Sequence, residues 1–237
     1  MFSDPHELAS NPDRLERIEK ATLRSVTQAM FDFKDEAVEI FENGHDLAQD
    51  MGEDATREAL DRMGTFTVPK KRLFGKIDYK RARYVFFADY AVRQALFVDS
   101  KAEKGAKTAT IQMSQTSMRI RQRRGGATVN ERGKLPLIVD NEVGSYLVTT
   151  VLVKYDYSEP SEDSVRLRRI YVLCIPNGML QGRYNPSPDD TFWLAGRNAP
   201  SRGEDFRVRV SLPALKRKAT WRVQEINPHS ANFRWDE

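Results

Sequence analysis

Residues 70–104, KKRLFGKIDYKRARYVFFADYAVRQALFVDSKAEK, decide how this chain is read. An aspartate, Asp78, stands in Gly75-Lys76-Ile77-Asp78. An aromatic and aliphatic run of hairpin length follows, ending in Phe97-Val98-Asp99-Ser100-Lys101. In a strand, alternate residues share a face. Phe97, Asp99, Lys101 and Glu103 therefore point one way, where an apolar strand turns polar. Asp78 precedes the neighbouring strand and can meet them at the same edge. Two carboxylates so close repel unless a cation lies between them. Mg²⁺ suits such a site because it takes oxygen ligands and keeps waters, one of which can attack a phosphodiester. Lys101 would then orient that water and stabilise charge developing on phosphorus.

The pattern is short and recurs by chance. A plainer reading makes Asp99 and Lys101 a surface pair at a strand end and Asp78 a turn residue. The chain also holds a second acid-x-lysine, Asp78-Tyr79-Lys80, whose upstream acid would be Asp61 or Glu58 on a helix. Asp99 has the better apolar strand before it, which leaves Lys80 as a backbone-phosphate contact or a strand surface residue.

Around this stretch the chain divides by charge. Residues 1–65 carry 7 Lys/Arg against 16 Asp/Glu, a net of −9, and residues 66–237 carry 31 against 18, a net of +13. A field of that size in the second part favours a polyanionic partner, with a solvated basic surface as the alternative. Residues 12–63 have helical spacing, broken at Gly44, with a second helix at about Glu53–Arg62. From Phe74 onward the signals are β. Arg83–Ala88 and Ala95–Asp99 read as strands with Asp89-Tyr90-Ala91 as their turn. Thr108–Arg121 has weak helical spacing, and Arg123–Lys134 reads as a loop or hairpin around Gly125-Gly126. Tyr146–Tyr157 and Val165–Ile175 are expected to pair. Glu204–Leu212 and Trp221–Ile226 are expected as final strands flanking a short basic helix, Pro213–Lys218. The fold class is α/β, a mixed sheet flanked by helices, in a single domain over 1–237. Within it, 1–65 is a helical front and 66–237 the working part.

A single cysteine, Cys174, excludes a disulfide framework and a cysteine zinc site and reads as core. His6, His45 and His229 lack ligand spacing. No P-loop, Gly-x-Ser-x-Gly or Gly-x-Gly-x-x-Gly motif is present. The first residues lack the pattern of a secretory signal, and no apolar run spans a bilayer, so a cytoplasmic protein is expected. In Phe206-Arg207-Val208-Arg209-Val210, Arg207 and Arg209 share a face and can each reach a guanine edge. Taken alone, that strand is better read as half-exposed, its arginines meeting acids on a neighbour. Lys104, Arg121, Arg123 and Arg124 are candidate phosphate contacts, giving affinity but no sequence reading.

The motifs Ile77-Asp78-Tyr79-Lys80-Arg81 and Val98-Asp99-Ser100-Lys101-Ala102 resemble those of the PD-(D/E)xK nucleases. With Gln112-Met113-Ser114-Gln115, Arg183–Asp189, Ala199–Glu204, Arg207–Val210 and Trp221–Glu225 in collinear order, the chain is more closely similar to the SfiI-type restriction endonucleases. The resemblance implies a restriction-endonuclease-like core. It also implies Mg²⁺-dependent cleavage of duplex DNA at a GC-rich, interrupted palindrome by a homodimer or homotetramer, with a companion DNA methyltransferase. Asp78, Asp99 and Lys101 match the catalytic positions, with Asp78 and Asp99 as metal ligands, and Arg207 and Arg209 match the base-reading strand. A repair or junction-resolving nuclease on the same core, and a DNA-binding module without catalysis, are the alternatives.

Overall fold

The computed structural model describes residues 3–43, 48–64, 82–87 (backbone only), 92–161, 164–196 and 207–237. Asp78, Lys80, Gly44 and the turn expected at 89–91 lie outside the described residues.

The acidic front folds into three helices, α1 (Pro12–Asp32), α2 (Lys34–Asn43) and α3 (Ala48–Met63). Asn11 caps α1 by accepting from the Arg14 amide at 3.1 Å, and Pro12 occupies the first turn, where no N–H is needed. The helical run expected up to Gly44 is instead interrupted at Phe33, whose φ of −100° and ψ of 8° leave the α basin. The apolar spacing continues across the break because both helices bury their stripes in one core: Leu23, Val26 and Met30 from α1, and Ala37 and Phe41 from α2.

The central sheet runs β1 (Ala82–Phe87), β2 (Arg93–Ala102), β7 (Gly144–Ser161), β8 (Ser164–Ile175) and β11 (Val223–Ile226), with β6 (Ile138–Asn141) also on β7. β1 is antiparallel to β2 and β7 to β8, as the runs suggested, while β2 and β7 are parallel. The sheet is therefore mixed. β3 (Thr108–Ile111), β10 (Val208–Ser211) and β9 (Trp193–Ala195) form a second, three-stranded sheet. β4 (Ile120–Arg124) and β5 (Ala127–Glu131) form a separate hairpin. Gly125 and Gly126 turn that hairpin with φ of 55° and 82°, the left-handed values a two-residue loop demands.

The helix expected at Thr108–Arg121 is absent. Thr108–Ile111 is a strand with alternating burial, Met113–Gln115 is one turn of 3-10 helix, and β4 follows. Ile111, Met118 and Ile120 enter the same core from these different elements, which produced the helical spacing without a helix. Of the strand expected at Glu204–Leu212, residues 204–206 lie outside the described residues, and the strand expected at Trp221–Ile226 is shorter. β10 covers Val208–Ser211 before α5 (Leu212–Lys218), capped by the Ser211 hydroxyl, and a 3-10 turn at Thr220–Arg222 precedes β11.

β7 separates two cores by its alternation. Val151, Val153 and Tyr155 face α1–α3, whereas Leu152 faces the second sheet, α5 and the short helix α4 (Gln181–Tyr184). One polar lock crosses from the helices to the far core. Arg222 and Glu19 are both fully buried and meet at 2.7 Å. Glu19 also accepts from the Asn177 amide at 2.8 Å, and the guanidinium lies between the rings of Tyr184 and Trp221, 4.2 and 4.3 Å from their centres. Burial pushes the Glu19 carboxyl up against the pull of Arg222. Burial also opposes charge on Arg222, but the Glu19 carboxylate beside it keeps the guanidinium charged. Removing one member of such a pair leaves a buried charge without its counter-ion, costing about 3–5 kcal/mol. Arg222→Met is thus expected to lower unfolding free energy by about that much, measured by urea denaturation, and Glu19→Gln with Arg222→Met together should recover part of the loss.

Candidate active site and nucleic-acid interface

The catalytic candidates stand where β2 leaves the core. Its inner residues Leu96 and Val98 pack against α1–α3, and the opposite face begins with Ala95 and Phe97, which pack on Leu135, Val139, Tyr146 and Val148. Ser100, on the helix side, donates to the Thr56 hydroxyl of α3 at 2.7 Å. Strand alternation then places Asp99 and Lys101 on the other face, with Lys101 Nζ 2.8 Å from Asp99 Oδ2. Their side chains are 12% and 22% exposed, so the pair is sheltered yet reachable from solvent. The pattern Asp99-x-Lys101 thus forms one compact unit. The second pair, built on Lys80, falls outside the described residues.

The donor chemistry at this edge fits a hard divalent cation, because it offers carboxylate oxygen and neither thiol nor imidazole. Among the described residues no three acidic, histidine or cysteine side chains form a ready-made cage. Asp78, the expected second carboxylate, is not among them.

Beyond Lys101 the same face continues into Glu103, whose two carboxylate oxygens accept from the Thr110 amide at 3.2 and 3.1 Å. Thr110 lies on β3, directly across from Arg209 on β10. Two charged residues of β7 border this junction and were passed over in the sequence. Lys154 is fully buried and in register with Lys101, and Asp156 is 4% exposed and accepts from the Gly105 amide at 2.7 Å. The signal was available: a lysine interrupts Leu147–Tyr155, an otherwise uncharged strand core.

Arg209 on β10 and Arg207 just before it alternate with Val208 and Val210, which are buried behind them. Arg207 is exposed and Arg209 half-buried. The backbone here is closely held. The Gly196 amide donates to the Arg207 carbonyl at 3.0 Å, and a Cβ at Gly196 would lie 2.4 Å from that oxygen. The acids that would have paired off these arginines on a neighbouring strand are not their cross-strand partners. Arg209 faces Thr110 and Leu194.

Among the described residues, the expected phosphate contacts are exposed or nearly so but engaged within the chain. Lys104 pairs with Glu159 at 2.6 Å. Arg121 donates to the Pro186 carbonyl at 2.7 Å, and Arg123 grips Asp189 with two bonds of 3.0 Å. Arg124 donates to the Gly196 carbonyl at 2.9 Å. The bond to Arg123 lowers the pKa of Asp189, and Arg123 is raised in turn. The partners of Arg121, Arg123 and Arg124 are remote in sequence and set how the hairpin sits beside β9 and β10. Asn185 fixes its root, accepting from the Arg121 amide and donating to the Arg121 carbonyl, both at 2.9 Å. Gln112 and Gln115 close a 3-10 turn, with the Gln112 amide donating to Gln115 Oε1 at 2.7 Å. Cys174 is buried in the core.

A mixed sheet with helices on one face, an acid-x-lysine pair at the end of its second strand and a separate arginine-bearing sheet on the other face define a restriction-endonuclease-like nuclease. The comparisons narrow this. The family model described as type II restriction enzyme SfiI matches residues 17–226. The type II restriction enzyme SfiI of Streptomyces fimbriatus is 36% identical over 243 aligned positions, spanning 96% of this chain and 88% of the relative. The crystal structure of tetrameric SfiI bound to cognate DNA superposes with a TM-score of 0.83 at 32% identity, over 100% of this chain and 92% of that one. The restriction endonuclease BglI bound to its DNA recognition sequence shares the fold, with a TM-score of 0.76 at 17% identity over 95% of each chain. The chain belongs to the SfiI family of type II restriction enzymes, and membership implies dependence on a divalent metal.

Asn185→Ala removes both partners of the Arg121 backbone and leaves buried groups unsatisfied, at about 1–3 kcal/mol. Amide exchange at Arg121 is expected to accelerate while exchange in β7 and β8 changes little, as read by hydrogen–deuterium exchange.

Proposed function

We propose that this enzyme cleaves duplex DNA at a GC-rich, interrupted palindrome, with Asp78, Asp99 and Lys101 as its catalytic residues and Arg207 and Arg209 as its base readers. The observation that carries this is the Asp99–Lys101 contact of 2.8 Å at the open end of a strand, within a fold aligned over its whole length with a DNA-cleaving family. Asp78 and Asp99 would hold Mg²⁺, which when bound lowers the pKa of a water and screens the scissile phosphate. Lys101, 2.8 Å from Asp99, would donate to that water or to a non-bridging phosphate oxygen and oppose the charge that grows there. Hydrolysis in this way leaves a 5′-phosphate and a 3′-hydroxyl.

Arginine pairs with the O6 and N7 of guanine in the major groove, and two such residues on one strand face suit successive guanines. Lys80, Lys104, Arg121, Arg123 and Arg124 would neutralise phosphates. For Lys104 and Arg123 this means exchanging Glu159 and Asp189 for phosphate oxygens. The working part is residues 66–237, and 1–65 supplies the helical support. A homodimer or homotetramer would supply one active site per strand, as a palindrome requires. The SfiI structure is of a tetramer on DNA, and the same assembly is proposed for this chain. The enzyme would work in the cytoplasm beside a DNA methyltransferase that protects its own sites.

Plasmid DNA incubated with the protein and Mg²⁺ should yield discrete fragments, and run-off sequencing gives the site. Smeared degradation, or preference for branched DNA, would defeat the proposal. Lys101→Ala should slow cleavage by about 10²–10⁴-fold, the usual weight of such a group, with the melting temperature kept. Arg209→Ala should weaken binding to the cognate site by about 1–3 kcal/mol with little effect on non-specific binding, measured by gel shift at fixed salt.

A further inference from the structure

Lys154 is out of place by composition. It sits on β7 within a strand that is buried on both faces, and its side chain is wholly inaccessible. An ammonium group is kept in such a place only when its donors are satisfied. Here Nζ donates to the Gly105 carbonyl at 2.6 Å and to the Thr108 carbonyl, with Glu103 Oε2 at 3.9 Å. Burial pushes the amine below the usual lysine range, the Glu103 and Asp156 carboxylates oppose that, and the Arg209 guanidinium adds to the depression. Although Lys154 is in register with Lys101, its donors point into the 103–110 segment, so it is not a second catalytic lysine.

That segment is the direct covalent link between the catalytic strand and the sheet that carries the arginines. It leaves β2 just after Lys101 and enters β3, whose Thr108 and Thr110 lie opposite Ser211 and Arg209. Side chains hold its backbone along its length. Glu103 takes the Thr110 amide, Asp156 takes the Gly105 amide, and Lys154 takes the carbonyls of Gly105 and Thr108. Asp156 is itself fixed by Arg168 at 2.8 Å. Without the ammonium, two carbonyls would lose their donor and Glu103 its nearby cation. The link could then slide relative to β7 while both sheets stayed intact.

We propose that Lys154 is a positioning residue that sets the distance and orientation between the base-reading strand and the Asp99–Lys101 pair, so that correct contacts at Arg207 and Arg209 place the scissile phosphate for attack. This rests on the reading of those residues given above. Its consequence is a separation of binding from cleavage. Misplacement of a reacting group by about 1 Å is able to cost ~10²-fold in rate, while the arginines themselves remain on a well-formed sheet.

The test compares wild type, Lys154→Met and Lys154→Arg, as full-length oligomers, on a duplex carrying the mapped site. Single-turnover cleavage is measured in Mg²⁺ and equilibrium binding without divalent ions. Lys154→Met is expected to cleave about 10²-fold more slowly with binding affinity within about threefold of wild type, and Lys154→Arg to regain much of the rate. Wild-type cleavage by Lys154→Met, equal losses in binding and cleavage, or an arginine variant that folds yet regains nothing would each overturn the inference. Should Lys154→Met not fold, Glu103→Gln decides. It keeps an acceptor for Thr110 but removes the charge facing Lys154, and it should slow cleavage with binding retained. Unchanged cleavage there overturns the inference too. Failure of the wild-type protein to cut at a discrete site would sink the underlying reading, whereas wild-type cutting with an unimpaired Lys154→Met would sink the inference alone.

Discussion

The buried meeting of Glu19 and Arg222 governs how the layers of this molecule are joined. Removing two charges from water is costly, and their attraction offsets the cost only when the remaining donors and acceptors are also satisfied. Here they largely are. Asn177, the Cys174 carbonyl and the rings of Tyr184 and Trp221 close around the pair. Glu16, one turn before Glu19, accepts from the Tyr184 hydroxyl at 2.7 Å and from Arg183 at 3.1 Å. The lock therefore holds α1 against the 176–185 segment as well as against the turn before β11. From that segment Gln181 and Asn185 reach the backbone of the β4–β5 hairpin. A helix in the acidic front thus determines, through three polar steps, where the arginine hairpin stands.

The same economy of position appears at the edge that carries the candidate catalytic pair. β2 needs its helix-facing residues to be apolar, because Leu96 and Val98 sit in the core of α1–α3. It needs the other face to change from Phe97 to Asp99 and Lys101 as it leaves the shelter of Leu135 and Val139. One strand supplies both the anchorage and the candidate catalytic pair by alternation alone. β7, parallel to it, does likewise, with Val153 and Tyr155 toward the helices and Lys154 and Asp156 toward the link to the second sheet. Parallel pairing matters because it brings the same ends of the two strands together, so Lys101 and Lys154 stand side by side, one on Asp99 and the other on the carbonyls of Gly105 and Thr108.

The parts of this arrangement that were legible in the sequence are those whose signal is local. The long Val- and Thr-rich run of β7, the β-branched and aliphatic run of β8, the Gly125-Gly126 turn, the Asn11-Pro12 cap and the acid-x-lysine at a strand end all follow from spacing over a few residues. What was not legible depends on distant partners. Thr108–Ile111 is a strand because β10, about a hundred positions on, pairs with it, and nothing within the segment says so. Arg123 and Arg124 read as free cations until Asp189 and the Gly196 carbonyl, 66 and 72 residues away, meet them. The break at Phe33 was hidden because both flanking helices serve the same core. Lys154 was visible as an anomaly, but its meaning required the backbone of 105–108 to be in place.

Charge asymmetry gains a physical sense from the fold. The acids of α2, α3 and the second half of α1 belong to helices on one face of the central sheet, while the β10 residues beside Arg207 and Arg209 pack in the other core, which the first turns of α1 also enter. Several of those acids are committed to internal cations: Asp13 and Glu16 to Arg183, Glu36 to Arg62, Glu19 to Arg222. Others, such as Glu39, Asp54 and Glu58, line a cleft between α2 and α3 of about 410 Å³. A polyanion approaching the helical side would meet that negative field, and one approaching the arginine side would not. Opposed fields of this kind orient an encounter before any contact forms, and they act over about 8–10 Å at ordinary salt. The net charge of +4 understates this, because it averages an acidic part that repels a polyanion with a basic part that attracts it. Orientation of DNA toward the face that carries both β10 and the open end of β2 is therefore built into the division of the chain between its first 65 residues and the rest.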